Sequence, residues 1–159
     1  MRKRKINPQY LRHITSQEIT PETIDVLSLT ESIKRFTDEY LGGIINLRVS
    51  GEAQGSINLN LPVTTYLIRL LCECGDSDEM IDANIRLGED FTLTVKYHSQ
   101  CPTDDAAYIV KVARLAGFGV TRDANTLIFR AEIKTSSIMQ IYATSNEDFY
   151  NMLIITYKM

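Results

Sequence analysis

The chain has 159 residues, of which 44% are hydrophobic and 23% are charged. These values are typical of one globular domain, so the composition excludes wholesale disorder. No apolar run reaches the roughly 18 residues of a membrane-spanning helix. The basic N-terminus is not followed by an apolar stretch, so we expect a cytoplasmic protein without a secretory signal.

The charge is distributed unevenly along the chain. The net charge is −3, and four of the 17 basic residues are Arg2, Lys3, Arg4 and Lys5. The remaining 13 basic residues oppose 20 acidic ones, which leaves a body with a net charge of −7. Because phosphate groups bind to positive surfaces, we expect neither a nucleic-acid nor a membrane partner.

The first third of the chain predicts a lead-in, a helix and two strands. Residues 1–26 are expected to be irregular or partly helical. A capping box of Ser28 and Glu31 predicts a helix start, and Gly42-Gly43 predicts its end. Strands are predicted at 44–49 and 56–61. The predicted inward side chains of the helix are Leu29, Ile33, Phe36 and Tyr40; those of the strands are Leu47, Val49, Ile57, Leu59 and Leu61.

The next elements alternate helices with hairpins. A second helix opens at Pro62 and carries the clearest apolar stripe: Val63, Tyr66, Leu67, Leu70, Leu71 and Cys74. Residues 83–87 and 91–98 predict a hairpin, 104–116 a third helix, and 118–133 a hairpin turning at Asp123-Ala124-Asn125. Residues 137–143 resemble a strand, and 145–157 could be a helix or a strand.

This order predicts an α+β fold. We expect a two-layer sandwich, with a mixed, mostly antiparallel sheet that carries the helices on one face. The domain would span residues 27–143, and residues 144–159 would extend it at the C-terminus.

Three stretches carry a family resemblance: LSLTESIKRFTDEYLGGIINLRVSGEAQGSINLNLPVTTYLIRLLCEC, FTLTVKYH, and DDAAYIVKVARLAGFGVTRDANTLIFRAEI. In pattern and element order, roughly residues 24–133 resemble the ATP-binding domain of sensor histidine kinases. The gyrase, Hsp90 and MutL ATPases and the anti-sigma-factor kinases share this family. The resemblance implies the two-layer fold above.

The resemblance also identifies the positions of a nucleotide pocket. Family members carry two asparagines, or Glu and Asn, four residues apart on the second helix, and these hold Mg²⁺; Arg69 and Glu73 stand there. A guanidinium has no lone pair for a metal, and we expect Glu73 to be solvated. An Asp and glycines that contact adenine are replaced by the segment containing Tyr97, His98 and Cys101. No lid fits before the third helix.

The absence of the family's metal-binding pair, adenine-binding residues and lid favours a non-catalytic, histidine-kinase-like signalling module that acts through protein contact. No cofactor is expected; the alternative is an ATP-binding kinase or anti-sigma-type regulator with a noncanonical Mg-ATP pocket. An unrelated dimeric α+β domain is a third hypothesis. We expect Tyr97, His98 and Arg69 to fill the former pocket, and residues 144–159 to complete the core or form a homodimer contact.

The cysteines suggest one further site. The odd count of Cys72, Cys74 and Cys101 argues against a disulfide framework. Cys74, His98 and Cys101 could form a zinc site if the family fold brings them together. Since Cys74 continues an apolar stripe, a core role is the simpler interpretation, and no metal is expected.

Overall fold

The computed structural model describes residues 21–74, 79–98, 103–135 and 146–158. In chain order, the elements are β1 (Glu22–Asp25), α1 (Val26–Tyr40), β2 (Ile45–Gly51), β3 (Ser56–Leu59), α2 (Leu61–Glu73), β4 (Ile81–Leu87), β5 (Asp90–Lys96), α3 (Thr103–Ala116), β6 (Gly119–Asp123), β7 (Thr126–Glu132) and α4 (Asn146–Lys158). None of the helices in these segments is long and apolar enough to span a membrane.

A five-stranded sheet forms one layer, in the order β2-β4-β5-β7-β6. Strands β2 and β4 are parallel, and every other neighbouring pair is antiparallel. β1 and β3 form a separate antiparallel pair, joined to the chain after β7 by a bridge between Ser56 and Lys134. Strands β2 and β3, although consecutive, therefore belong to different sheets.

The helices cover one face of the five-stranded sheet. Along β4 and β5 the side chains alternate between buried and more exposed, and the buried set is Ile81, Ala83, Ile85, Leu87, Phe91, Leu93 and Val95. The stripes predicted for the helices supply the facing side of this core. The predicted α+β class, with a mixed sheet and helices on one face, is confirmed.

Three local predictions need correction. Helix α1 begins at Val26, because Asp25 accepts hydrogen bonds from the backbone amides of Leu27 (3.0 Å) and Ser28 (3.1 Å). Residues 22–25, expected to be irregular or partly helical, form β1. The helix ends at Tyr40 with Leu41 as its C-cap, and no left-handed glycine follows, since neither glycine at 42–43 has a positive φ.

The prediction that Val49 on strand β2 faces inward is wrong. Leu47 is buried, but Val49 is 40% exposed because β2 is the outermost strand. Gly51 ends the strand with φ +82°, and a Cβ there would lie 2.1 Å from the carbonyl oxygen of Leu87. Only glycine fits this position.

The remaining predicted elements agree with the structure within a few residues. Both hairpins form, and Ala124 occupies the second turn with φ 50°. The C-terminal segment, which could have been helix or strand, is helix α4. The strand predicted at 137–143 lies outside the described residues.

Candidate functional site

The two positions that resemble the family's metal-binding pair form an ion pair. Arg69 and Glu73 lie one turn apart on α2, and Arg69 Nε is 3.0 Å from Glu73 Oε1. The side chain of Glu73 is 5% exposed and that of Arg69 is 25% exposed. The expectation that Glu73 is solvated is therefore wrong: the carboxylate is buried because a guanidinium on the preceding turn neutralises it.

Helix α4 closes over this pair. Arg69 Nη1 donates to the carbonyl oxygen of Thr156 at 3.1 Å, and the hydroxyls of Thr65 and Thr156 are 2.9 Å apart. Thr65 and Thr156 are both buried. The guanidinium thus joins α2 to the last turns of α4, where carbonyl groups attract a cation.

A second set of contacts holds α4 on α1. Arg35 Nη1 is 3.0 Å from Glu147 Oε1, and its guanidinium lies 3.8 Å from the ring centroid of Tyr150. The Tyr150 hydroxyl donates to Glu39, which lowers the pKa of Glu39 and raises that of Tyr150 to about 12. Farther along, Tyr157 packs edge-on against Phe36.

Tyr97 fills the interior at the end of β5, where the family has an adenine-binding aspartate. The ring is 2% exposed, and its hydroxyl donates to the carbonyl oxygen of Leu71 at 2.7 Å. Burial raises the pKa of this phenol. Asn125 fixes the backbone here, because Tyr97 N donates to its carbonyl oxygen at 3.0 Å and its amide donates to Tyr97 O.

His98 lies at the surface. Its Nε2 is 3.1 Å from Asp82 Oδ2, and both side chains are about half exposed. Asp82 belongs to the face of the sheet that the helices leave uncovered. The expectation that His98 fills the pocket is therefore wrong, whereas Cys101 lies outside the described residues.

The cysteines do not assemble the zinc site within the described residues. Cys74 is buried and disulfide-bonded, so its sulfur is not a thiolate, and Cys72 is not disulfide-bonded but donates its thiol to the carbonyl oxygen of Ile68 at 3.2 Å. No disulfide was predicted from the sequence, because the odd number of cysteines argues against a disulfide framework. Among the described residues, no group of three metal-ligating side chains comes together.

Helices α2 and α3 also meet directly. The hydroxyls of Tyr66 and Tyr108 are 3.1 Å apart, and burial raises the pKa of Tyr66. Asn60, which sequence reasoning did not single out, caps α2 by accepting from Val63 N at 3.3 Å. Its position just before Pro62 was the available signal.

Sequence reasoning also did not identify the threonines and the Arg35 network that bind α4. Thr65 and Thr156 are 91 residues apart, and Arg35 and Glu147 are 112 apart. The one part of this network that the sequence could predict is the ion pair between Arg35 and Glu39, which are four residues apart on one helix. The partners on α4 depend on how this helix docks.

Comparison with known proteins finds similarity to solved structures alone. No protein-family model matches the chain, and no curated protein matches it in sequence. Histidine kinase AdeS of Acinetobacter baumannii is 11% identical at a TM-score of 0.46, over 82% of this chain and 77% of that one. A histidine kinase of Burkholderia phymatum STM815 is 12% identical at 0.46, over 79% and 77%.

The catalytic domain of histidine kinase ThkA is also similar, at 11% identity and a TM-score of 0.43, over 72% of this chain and 97% of that domain. At these identities the likeness concerns the fold alone. It leaves the activity open. In these comparisons, the chain is similar to histidine kinases, including the catalytic domain of one of them.

Proposed function

We propose that this chain is a histidine-kinase-like signalling module that does not use ATP and acts through contact with other proteins in the cytoplasm. The observation that carries the proposal is the ion pair between Arg69 and Glu73 beneath α4. A Mg-nucleotide site would need oxygen ligands at these positions. Here one position holds a cation and the other a carboxylate already engaged by that cation.

The adenine side of the site supports the same proposal. The hydroxyl of Tyr97 is turned inward to Leu71 O, and its pKa is raised, so it is a neutral donor at physiological pH. The family uses a carboxylate there to accept from the adenine amino group. A buried phenol that already donates to a carbonyl oxygen does not replace that acceptor.

Contact with proteins is supported by the surface. Large apolar side chains are exposed on several described elements: Leu27, Val49, Met80, Leu115 and Ile155. The acidic body disfavours nucleic acid, which favours a protein partner by comparison. The described residues bring no cluster of metal-ligating groups together.

The proposal is tested by melting the protein with and without Mg-ATP. A ligand present at 100 times its dissociation constant would stabilise the fold by about 2.7 kcal/mol, equivalent to a rise of roughly 5–11 °C for a chain of this size. We expect no rise with millimolar Mg-ATP. A Mg²⁺-dependent rise that is lost in Glu73→Ala would refute the proposal and favour a noncanonical ATP-binding enzyme.

A further inference from the structure

Among the described residues, no strand pairs with the outer edge of β2, so its backbone groups are available for pairing there. The amide of Ile81 donates to Ile44 O, which places the N–H and C=O groups of the even-numbered residues of β2 on the β4 side. The odd-numbered residues therefore point their backbone groups away from the sheet. At the start of the strand, Ile45 N is bound to Leu41 O, so the open edge begins at Leu47.

The open groups are symmetric about Val49. Leu47, Val49 and Gly51 present them, and the +82° φ of Gly51 closes the strand. Among the described residues, Leu47 O accepts Lys34 Nζ at 3.4 Å; a carbonyl oxygen can accept a second donor. Of the five large apolar side chains exposed in the described parts of the chain, Val49 alone lies on a strand.

From this geometry we infer that β2 pairs antiparallel with β2 of a second copy of the chain, across a two-fold axis at Val49. Val49 would exchange both backbone hydrogen bonds with its own copy, and Leu47 would do the same with Gly51 of the other copy. This pairing would extend the sheet across the dimer, with both helical layers on the same side.

Charge repulsion favours the register with its axis at Val49 over the register with its axis at Arg48. With the axis at Val49, Arg48 lies opposite Ser50 of the other copy. An axis at Arg48 would set two guanidinium groups directly opposite each other, which is destabilising. An axis one residue later, at Ser50, would place Leu47 opposite residue 53, beyond the end of the strand at Gly51, and would lose the hydrogen bonds of Leu47.

The groove beside this edge also suits a second copy. It is lined by Val49 and by charged side chains of α1 of both signs: Glu31, Lys34, Arg35, Asp38 and Glu39. In the symmetric pair, the two α1 helices run antiparallel along the same side, so each mixed face meets its own copy. A face of one sign would repel its copy, whereas on this face Lys34 pairs with Asp38 and Arg35 with Glu39, so the charges are largely compensated within each copy.

This inference deepens the proposed function by naming the partner, but it is measured on the chain alone and without nucleotide. Sedimentation across a concentration series should show a dimer. In Val49→Lys, two ammonium groups would face each other at the axis, and like charges directly opposite each other destabilise the pair. The dimer dissociation constant should rise by more than tenfold. Leu115→Lys removes an apolar side chain of similar exposure outside the edge and should leave the mass unchanged.

A cross-link tests the register independently of how Val49→Lys folds. Residues in a hydrogen-bonded antiparallel pair have Cα atoms about 5.5 Å apart, which a disulfide can span. In a Cys72→Ser background, Val49→Cys should give an oxidised dimer. Arg48→Cys should not, because its copies would lie about 7–8 Å apart on the diagonal. A monomer at every concentration, or a dimer that neither position 49 variant affects, would overturn the inference.

Discussion

The packing of α4 makes the C-terminal segment part of the core, and Phe149→Ala tests this directly. Phe149 is 0% exposed, and its neighbours Tyr150 and Leu153 are also buried. Truncating a fully buried phenylalanine removes its hydrophobic transfer energy and leaves a cavity, at a cost of about 3–5 kcal/mol. For a chain of this length, each kcal/mol corresponds to roughly 2–4 °C, so we expect the melting temperature to fall by about 6–20 °C.

The assay is thermal unfolding followed by circular dichroism, with Ile155→Ala as the matched control. Ile155 lies on the same helix but is 62% exposed, so its truncation should cost at most about 0.5 kcal/mol. Equal and small shifts for the two variants would show that α4 is not docked as described. The prediction that residues 144–159 complete the core would then fail.

Three further predictions follow from individual side chains. Tyr97→Phe should destabilise the fold by about 1–3 kcal/mol in denaturant titration, because Leu71 O loses its buried donor; unchanged stability would mean that water replaces the phenol. Asp25→Ala should lower the free energy of unfolding by about 1 kcal/mol because α1 loses its cap, and Ser28→Ala should lower it less. A larger effect of Ser28→Ala would show that Ser28 caps the helix instead. The bond from Tyr150 to Glu39 should stabilise the fold above about pH 4, the ordinary glutamate value. Its contribution is lost as pH falls through the lowered pKa of Glu39, and also as pH rises from about 10 through the pKa of Tyr150 at about 12. The stability difference between wild type and Tyr150→Phe should therefore be largest near neutral pH, and a difference independent of pH would contradict this.

The sequence predicted what depends on local periodicity. The stripe from Val63 to Cys74 is buried as expected, and the alternation from Phe91 to Tyr97 faces the core. Both signals arise because helix and strand geometry repeat with fixed periods. The start of α1 was missed because two cap signals stood close together, and Asp25 rather than Ser28 accepts the free amides.

The candidate site was predictable only as a set of positions. The spacing of Arg69 and Glu73 by one turn is evident in the sequence, but the bond from Arg69 to Thr156 depends on α4, which lies far along the chain. The parallel pairing of β2 with β4 was not predictable either, because it joins two strands that are separated along the chain by α2. Likewise, His98 could be assigned to a pocket only by analogy, and its actual partner, Asp82, lies on the other strand of the hairpin.

The central claim is that Arg69 and Glu73 hold the fold together instead of holding a nucleotide. A double-mutant cycle with Arg69→Ala and Glu73→Ala, measured in denaturant with and without Mg-ATP, tests it most directly. Because the two groups are in contact and largely buried, we expect a coupling energy of about 0.5–3 kcal/mol that Mg-ATP does not change. Additive effects of the two substitutions, together with a stabilisation by Mg-ATP that disappears in Glu73→Ala, would contradict the account.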